Sequence, residues 1–304
     1  MLKRLTFLVV LIVLAKPAYE AARPYIDMIV ENQDQIVESV IQPVSKVANI
    51  ANESVQPVDI VTTEAPGTVK SYEELVNAVF YYTERFTSTF QIEYKGSTAD
   101  LENMLNKVYE DLRVQNEYLY YHIVKRNIEY TYTSKRATIS IKHEYLTNYE
   151  QERYVNGKVK AIIDSMPDNL SIYDQVKYVN DYIVQNTQYG EFSNASPHSA
   201  YAVAMEGVGV CQGYALLASK LFNELGIPTK YVVGEVESGP HAWNLVQIDN
   251  EWYHVDVTWN DPLPDRGNKV RYDYFLKTDQ EMKLDHVWAV EDYPTSATTA
   301  LLVR

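Results

Sequence analysis

The chain has 304 residues, 46% of them hydrophobic and 22% charged, with a formal net charge of −14. This balance is globular rather than disordered, and the length suits one large or two modest domains with appendages. The negative charge argues against sequence-independent nucleic-acid binding, which needs clustered Lys and Arg. Tyrosine is abundant, at 26 against 7 phenylalanines. Tyr packs as an aromatic yet keeps a hydroxyl, which suits half-exposed sheet faces and clefts.

The first residues read as a targeting signal. Lys3 and Arg4 precede a short apolar run, Leu5–Ala15, closed by Lys16 and Pro17. A spanning helix needs about 20 apolar residues, so the run suits the core of a secretory signal over residues 1–16. Small residues stand at Ala18, Ala21 and Ala22 without a clean cleavage pattern, so an uncleaved anchor stays open. The expected location is extracytoplasmic, with membrane contact only through this segment if it is retained. Residues 17–70 read as a weakly ordered stalk, with some helix over Tyr25–Val47 and a run rich in Pro, Thr and acidic residues at Gln56–Thr68.

From Ser71 the pattern becomes regular. Ser71–Glu74 resembles a capping box opening a helix to about Phe86. Gln91–Tyr94 reads as a strand. Ser97 or Thr98 then opens a helix whose stripe is Leu101, Met104, Leu105, Val108, Tyr109 and Leu112. Alternation of Tyr118 with Tyr120, of Ile128 with Tyr130 and Tyr132, and of Ile139 with Ile141 predicts two or three antiparallel strands within Glu117–Tyr145. Residues 71–145 are thus expected to form a small α+β domain and 146–304 a second, catalytic one. The second opens with a helix over Asn148–Ser165. Ser171–Asp174 caps another, with Tyr173, Val176, Val179 and Ile183 inward, and a polar loop covers Gly190–Pro197.

The chain holds a single cysteine, Cys211, so it has no internal disulfide. By count alone this thiol reads as a small buried hydrophobe. Its setting says otherwise. Glycines punctuate Gly207–Gly213, and a helical pattern follows to Leu225, ended by Gly226 and Pro228. Cys211 therefore falls at a helix N-terminus, where free N–H groups and the macrodipole favour a thiolate, the nucleophilic form.

A thiolate nucleophile needs a base, and the base an orienting partner. Strands are expected at Thr229–Val236, Ala242–Ile248 and Glu251–Val257, the last two joined by the turn Asp249-Asn250. That turn sets Ile248 opposite Glu251, Trp243 opposite Asp256 and His241 opposite Thr258. His241 and Asp256 become diagonal neighbours on one face, about 7 Å apart at Cα, within reach of a hydrogen bond. His254 shares the face and competes as the base, but lies further from the strand end that Cys211 could reach. Trp243, Trp252 and Trp259 read as core or cleft walls, and Asp261, before Pro262, as a turn cap. Cys211, His241, His254 and Asp256 are zinc ligands by type, but a lone Cys does not suit a structural zinc site. His122, His143, His198 and His286 show no metal-binding spacing. No metal or other cofactor is expected.

Four pieces, Gly209–Ala215, Gly226-Ile-Pro228, His241-Ala-Trp-Asn244 and Trp252–Trp259, resemble the transglutaminase-like superfamily, rearranged relatives of papain. The match is weaker upstream, through Ser171–Gln185. The resemblance implies an α+β papain-like core in which the Cys helix packs on an antiparallel sheet. It also implies that Cys211 is nucleophile, His241 base and Asp256 orienting acid. For the oxyanion or substrate, the Cys211 N–H, Tyr201 and His198 are candidates by position, with Gln212 and Trp243 beside the triad. The expected function is an exported cysteine acyl-transfer enzyme, protease, amidase or transglutaminase, acting on a protein or peptide amide, cell-wall material included. The alternative is an inactive binding module of the same fold.

Overall fold

The computed structural model describes residues 65–299 and residue 301. The signal, most of the stalk and the helix expected over Tyr25–Val47 lie outside the described residues. Those described belong to one compact unit, and none of their helices is long and apolar enough to cross a membrane.

The first half is a four-stranded sheet covered by helices. Strand β1 (Thr68–Val69) lies parallel to β2 (Thr89–Tyr94), and β2 and β3 (Ile123–Thr133) flank β4 (Arg136–Tyr145) antiparallel, giving the order β1-β2-β4-β3. Helix α1 (Tyr72–Glu84) is capped by Ser71, whose hydroxyl accepts from Glu74 N at 3.1 Å. Helix α2 (Leu101–Gln115) begins after Asp100 rather than at Ser97 or Thr98, and buries Leu101, Leu105, Val108, Tyr109 and Leu112 as the stripe requires.

One expectation fails here. Tyr118 and Tyr120 lie in a short helix, α3 (Glu117–His122), not in a strand. The Asn116 side chain accepts from Leu119 N at 3.1 Å and so caps that helix. Buried Tyr118 and Leu119 turn α3 into the core of the second half. Glu117 accepts from Tyr231 N at 2.7 Å, and the Tyr121 and Tyr231 rings lie 4.2 Å apart.

The second half packs helices on a five-stranded antiparallel sheet. Helix α4 (Tyr149–Asp164) starts with a full capping box, Asn148 with Gln151. Helix α5 (Ile172–Asn186) is capped by Ser171 and buries Val176, Val179 and Ile183. A two-stranded parallel pair, β5 (Gln188–Tyr189) with β6 (Val208–Gly209), leads into α6 (Cys211–Glu224). The sheet order is β10-β9-β8-β7-β11, from β7 (Thr229–Val236), β8 (Gly239–Ile248), β9 (Glu251–Val255), β10 (Phe275–Lys277) and β11 (Val287–Trp288). Helix α6 lies against this sheet with Leu216, Leu217, Leu221 and Phe222 fully buried.

The β8–β9 hairpin has the expected turn, with Asp249 at φ 52° and Asn250 at φ 67°, and the expected register, Ile248 opposite Glu251. The ladder stops at Asn244 opposite Val255. Asp256 is therefore not in a strand. It N-caps the short helix α7 (Val257–Asn260), its carboxylate accepting from Trp259 N at 3.0 Å. A second short helix, α8 (Asp279–Met282), precedes β11.

Candidate active site

Cys211 is the first residue of α6. Val210, at the N-cap position, supplies no side-chain acceptor, so the first-turn N–H groups face an incoming anion without an internal competitor. The segment before the helix packs closely on it because position 213 is glycine. A Cβ there would stand 2.8 Å from Pro197 O and 2.9 Å from Ser199 O.

Three buried polar contacts fix α6 relative to the sheet. Asn244 on β8 donates to Ala215 O at 3.1 Å and to Ser219 Oγ at 2.7 Å. Tyr214 donates its hydroxyl to Asp261 at 2.7 Å. Asp261 is thus buried and tied to the Cys helix.

His241 projects from β8 and Asp256 from the end of β9. His241 Nε2 lies 2.7 Å from Asp256 Oδ2, both side chains buried. An ionised carboxylate only accepts, so Nε2 is the donor, and Nδ1 is left for the thiol. His241 and Cys211 line the same cleft, and the thiol helps to raise the imidazole's pKa. Burial alone pushes the imidazole down. The Asp256 charge and hydrogen bond, with the Cys211 thiol adding to them, overcome this and hold it at about 10. Burial likewise favours neutral Asp256, yet the His241 charge and hydrogen bonds from His241, His286 and Trp259 keep it below the usual carboxylate range.

These groups open on a cleft of about 580 Å³, lined by Tyr189, Cys211, Ser238, Pro240, His241, Thr258, Trp259, Asp261, Leu263, Arg271 and Tyr274. The Trp259 ring lies 5.7 Å from that of His241 and forms part of the wall. The arrangement can activate a thiol and protonate a leaving group.

The other singled-out residues fall elsewhere. His254 is fully buried, with Nδ1 accepting from Trp243 Nε1 at 2.8 Å and Nε2 lying 2.9 Å from Asp279. Burial pushes its pKa down, and it braces the sheet away from the cleft. Trp243 is buried beneath His241, so it supports the base and does not face substrate. His198 and Gln212 line a separate cleft of about 550 Å³ beside Tyr120, Tyr121, Lys125 and Arg126. Gln212 there donates to Tyr121 O at 3.1 Å. Tyr201 is half-buried near Glu206 and Tyr154 and lines neither cleft.

Two residues escape the sequence reading. Tyr189 lines the catalytic cleft, and its hydroxyl is kept protonated first by burial and then by the nearby Cys211 and Glu191. His286 Nε2 lies 3.2 Å from Asp256 Oδ2. Among the described residues, His241, Asp256 and His286 bring candidate metal-ligand atoms within 4.8 Å of one another, whereas Cys211 and His254 join no such group. Here these atoms bond one another, through Asp256 Oδ2.

Residues 157–257 match the model of the transglutaminase-like superfamily. No curated protein matches the chain. Among solved structures, a candidate cysteine protease from Cytophaga hutchinsonii is 21% identical, over 47% of this chain and 68% of that one, at a TM-score of 0.32. A TGase is 17% identical over 64% of this chain and 59% of that one, at a TM-score of 0.31. The periplasmic domain of TgpA from Pseudomonas aeruginosa is 16% identical over 41% and 55%, at a TM-score of 0.23. Superposition this loose adds nothing to the functional reading. Residues 157–257, which contain Cys211, His241 and Asp256, are a transglutaminase-like segment, the core of an α+β fold in which the Cys helix packs on an antiparallel sheet.

Proposed function

We propose that the chain is a cysteine acyl-transfer enzyme acting on protein or peptide amides. The observation that carries this is the buried His241–Asp256 hydrogen bond of 2.7 Å, on a cleft that His241 shares with a thiol at a helix start. Cys211 attacks the amide carbonyl as thiolate, forming the C–S bond, and its proton resides on His241. The His241 imidazolium gives that proton to the leaving amine as the C–N bond breaks. The resulting thioester is resolved by water, giving hydrolysis, or by a primary amine, giving a crosslink, with His241 now taking the proton of the attacking group. The first-turn N–H of α6 and the protonated Tyr189 hydroxyl are the donors proposed for the oxyanion.

The substrate class rests on the acyl-transfer chemistry, and the extracytoplasmic location on the basic and apolar residues at the N-terminus. Incubation with a glutamine-containing protein and a labelled primary amine tests the reading, with Cys211→Ala as control. Label incorporation or peptide release by wild type, lost in Cys211→Ala, is expected. Absence of both across varied substrates would leave the fold as an inactive binding module.

A further inference from the structure

The cleft of about 550 Å³ beside Gln212 is built from both halves of the fold. Tyr109 comes from α2, Tyr121 from α3, residues 123–126 from β3 and Gln212 from α6. Its walls are held in place. The Tyr121 ring lies 4.2 Å from that of Tyr231, Gln212 donates to Tyr121 O at 3.1 Å, and Tyr109 shares a 2.7 Å hydrogen bond with His143. Gln212 follows Cys211 directly, so the two clefts meet the first turn of α6 at consecutive residues. One side of this cleft is the edge of a sheet. In the order β1-β2-β4-β3, strand β3 has a neighbour on one side only, and it is 11 residues long. Its pairing with β4 passes from Ile123 opposite Tyr145 to Lys125 opposite Glu144, which leaves Val124 as a bulge, 63% exposed. A free edge offers main-chain N–H and C=O groups to another extended chain. The β3–β4 hairpin is also basic. Between residues 123 and 142 it carries Lys125, Arg126, Lys135, Arg136 and Lys142 against Glu129 alone, in a chain of net charge −14. Like charges keep a second copy of this edge away, and the same charges attract an acidic strand. The Arg126 guanidinium stacks over the Tyr109 ring at 4.1 Å, which leaves its in-plane N–H donors for a carboxylate. Lys125 has Glu144 at 3.8 Å, both well exposed, a pairing worth little in water.

We propose that this cleft is a binding site for an extended acidic peptide segment, which adds as a strand to the edge of β3 and sets its carboxylates against Lys125 and Arg126. A peptide backbone matches the N–H and C=O groups of a free strand edge, and a sugar–phosphate chain does not. That the segment belongs to the substrate rests on the acyl-transfer reading. A protein held here presents its neighbouring residues to the start of α6, where Cys211 stands. The bound strand thus adds to the choice of substrate without touching the reacting atoms.

The test uses a fluorescein-labelled peptide alternating Glu and Thr, its neutral counterpart with Gln in place of Glu, and the full chain carrying Cys211→Ala. Fluorescence anisotropy is expected to show saturable binding of the acidic peptide, roughly tenfold tighter than the neutral one, the effect of two exposed ion pairs. Lys125→Gln with Arg126→Gln should weaken it by about the same factor. Amide hydrogen exchange over residues 123–126 should slow when the acidic peptide is bound. Equal binding of the two peptides, or binding of neither, overturns the proposal. So does binding that leaves exchange at residues 123–126 unchanged, because the contact is then charge attraction alone. If the double variant does not fold, the two peptides compared on the unaltered surface decide the matter with the exchange data. Peptide binding needs no reactive thiol. A wild-type Cys211 that reacts with iodoacetamide no faster than a free thiol sinks the acyl-transfer reading and leaves peptide binding measurable, so the two failures are told apart.

Discussion

Asp256→Asn separates charge from shape at the site. The side chain is fully buried with Oδ2 2.7 Å from His241 Nε2, so asparagine removes one charge and leaves the space filled. Charges centred about 4 Å apart at an effective dielectric of about 20 interact by about 4 kcal/mol. That is roughly three pH units on His241, the scale on which its surroundings hold it up, at about 10. Without the carboxylate, burial prevails and the imidazole falls below its ordinary value. The thiolate then loses its cation. At about pH 6, alkylation of Cys211 should slow by roughly a hundredfold, toward the rate of a free thiol. Iodoacetamide labelling followed by intact mass measures this cleanly, because Cys211 is the sole cysteine. An Asp256→Asn protein with native melting behaviour that labels as fast as wild type would refute the electrostatic reasoning.

Tyr189→Phe keeps the ring in the cleft and removes the hydroxyl. It should lower kcat by about a hundredfold with KM little changed, and a kcat within twofold of wild type would remove Tyr189 as an oxyanion donor. Gly213→Ala should destabilise the protein by about 1–3 kcal/mol, because the new methyl meets the backbone of Pro197 and Ser199. Helix propensity alone gives the opposite sign, about 1 kcal/mol of stabilisation, so a denaturant midpoint distinguishes the two. His241 has its pKa raised from an unfolded value of about 6.5 to about 10, so its contribution is complete below the first value and lost as pH rises through the second. Wild type should therefore lose more stability than His241→Gln between those pH values, and parallel stability curves would contradict this.

The parts legible in the sequence were those with local signals. Ser71, Asn148 and Ser171 announce their helices by capping chemistry, and Asp249-Asn250 sets the register that places His241 near Asp256. At two points the same capping chemistry competes with a strand-like pattern. Asn116 caps α3, but alternating tyrosines suggested a strand. Asp256 caps α7, where the strand pattern from Glu251 predicts extension to Val257. The hydrogen bond to His241 survives because the strand ends one residue before Asp256 and turns its carboxylate inward. Tyr189 and His286 were not legible at all. Tyr189 reaches the cleft through a two-residue parallel pairing with β6, and His286 arrives from 30 residues beyond Asp256 by way of β11. Neither contact leaves a periodicity in the sequence. Tyr201 and His198 were placed by distance from Cys211 along the chain, whereas the turn at Pro197–Ser199 carries His198 to the other cleft and leaves Tyr201 outside both.

The most direct measurement is acyl transfer to Cys211 itself. The folded protein is mixed with an activated ester, quenched in acid and analysed by intact mass and peptide mapping. One acyl group per chain on Cys211 is expected, discharged by water or an added primary amine, and lost in His241→Ala and in the unfolded chain. A folded wild-type protein that gains no acyl group at Cys211, or gains it no faster than the unfolded chain, would contradict the assignment of Cys211 as an activated nucleophile.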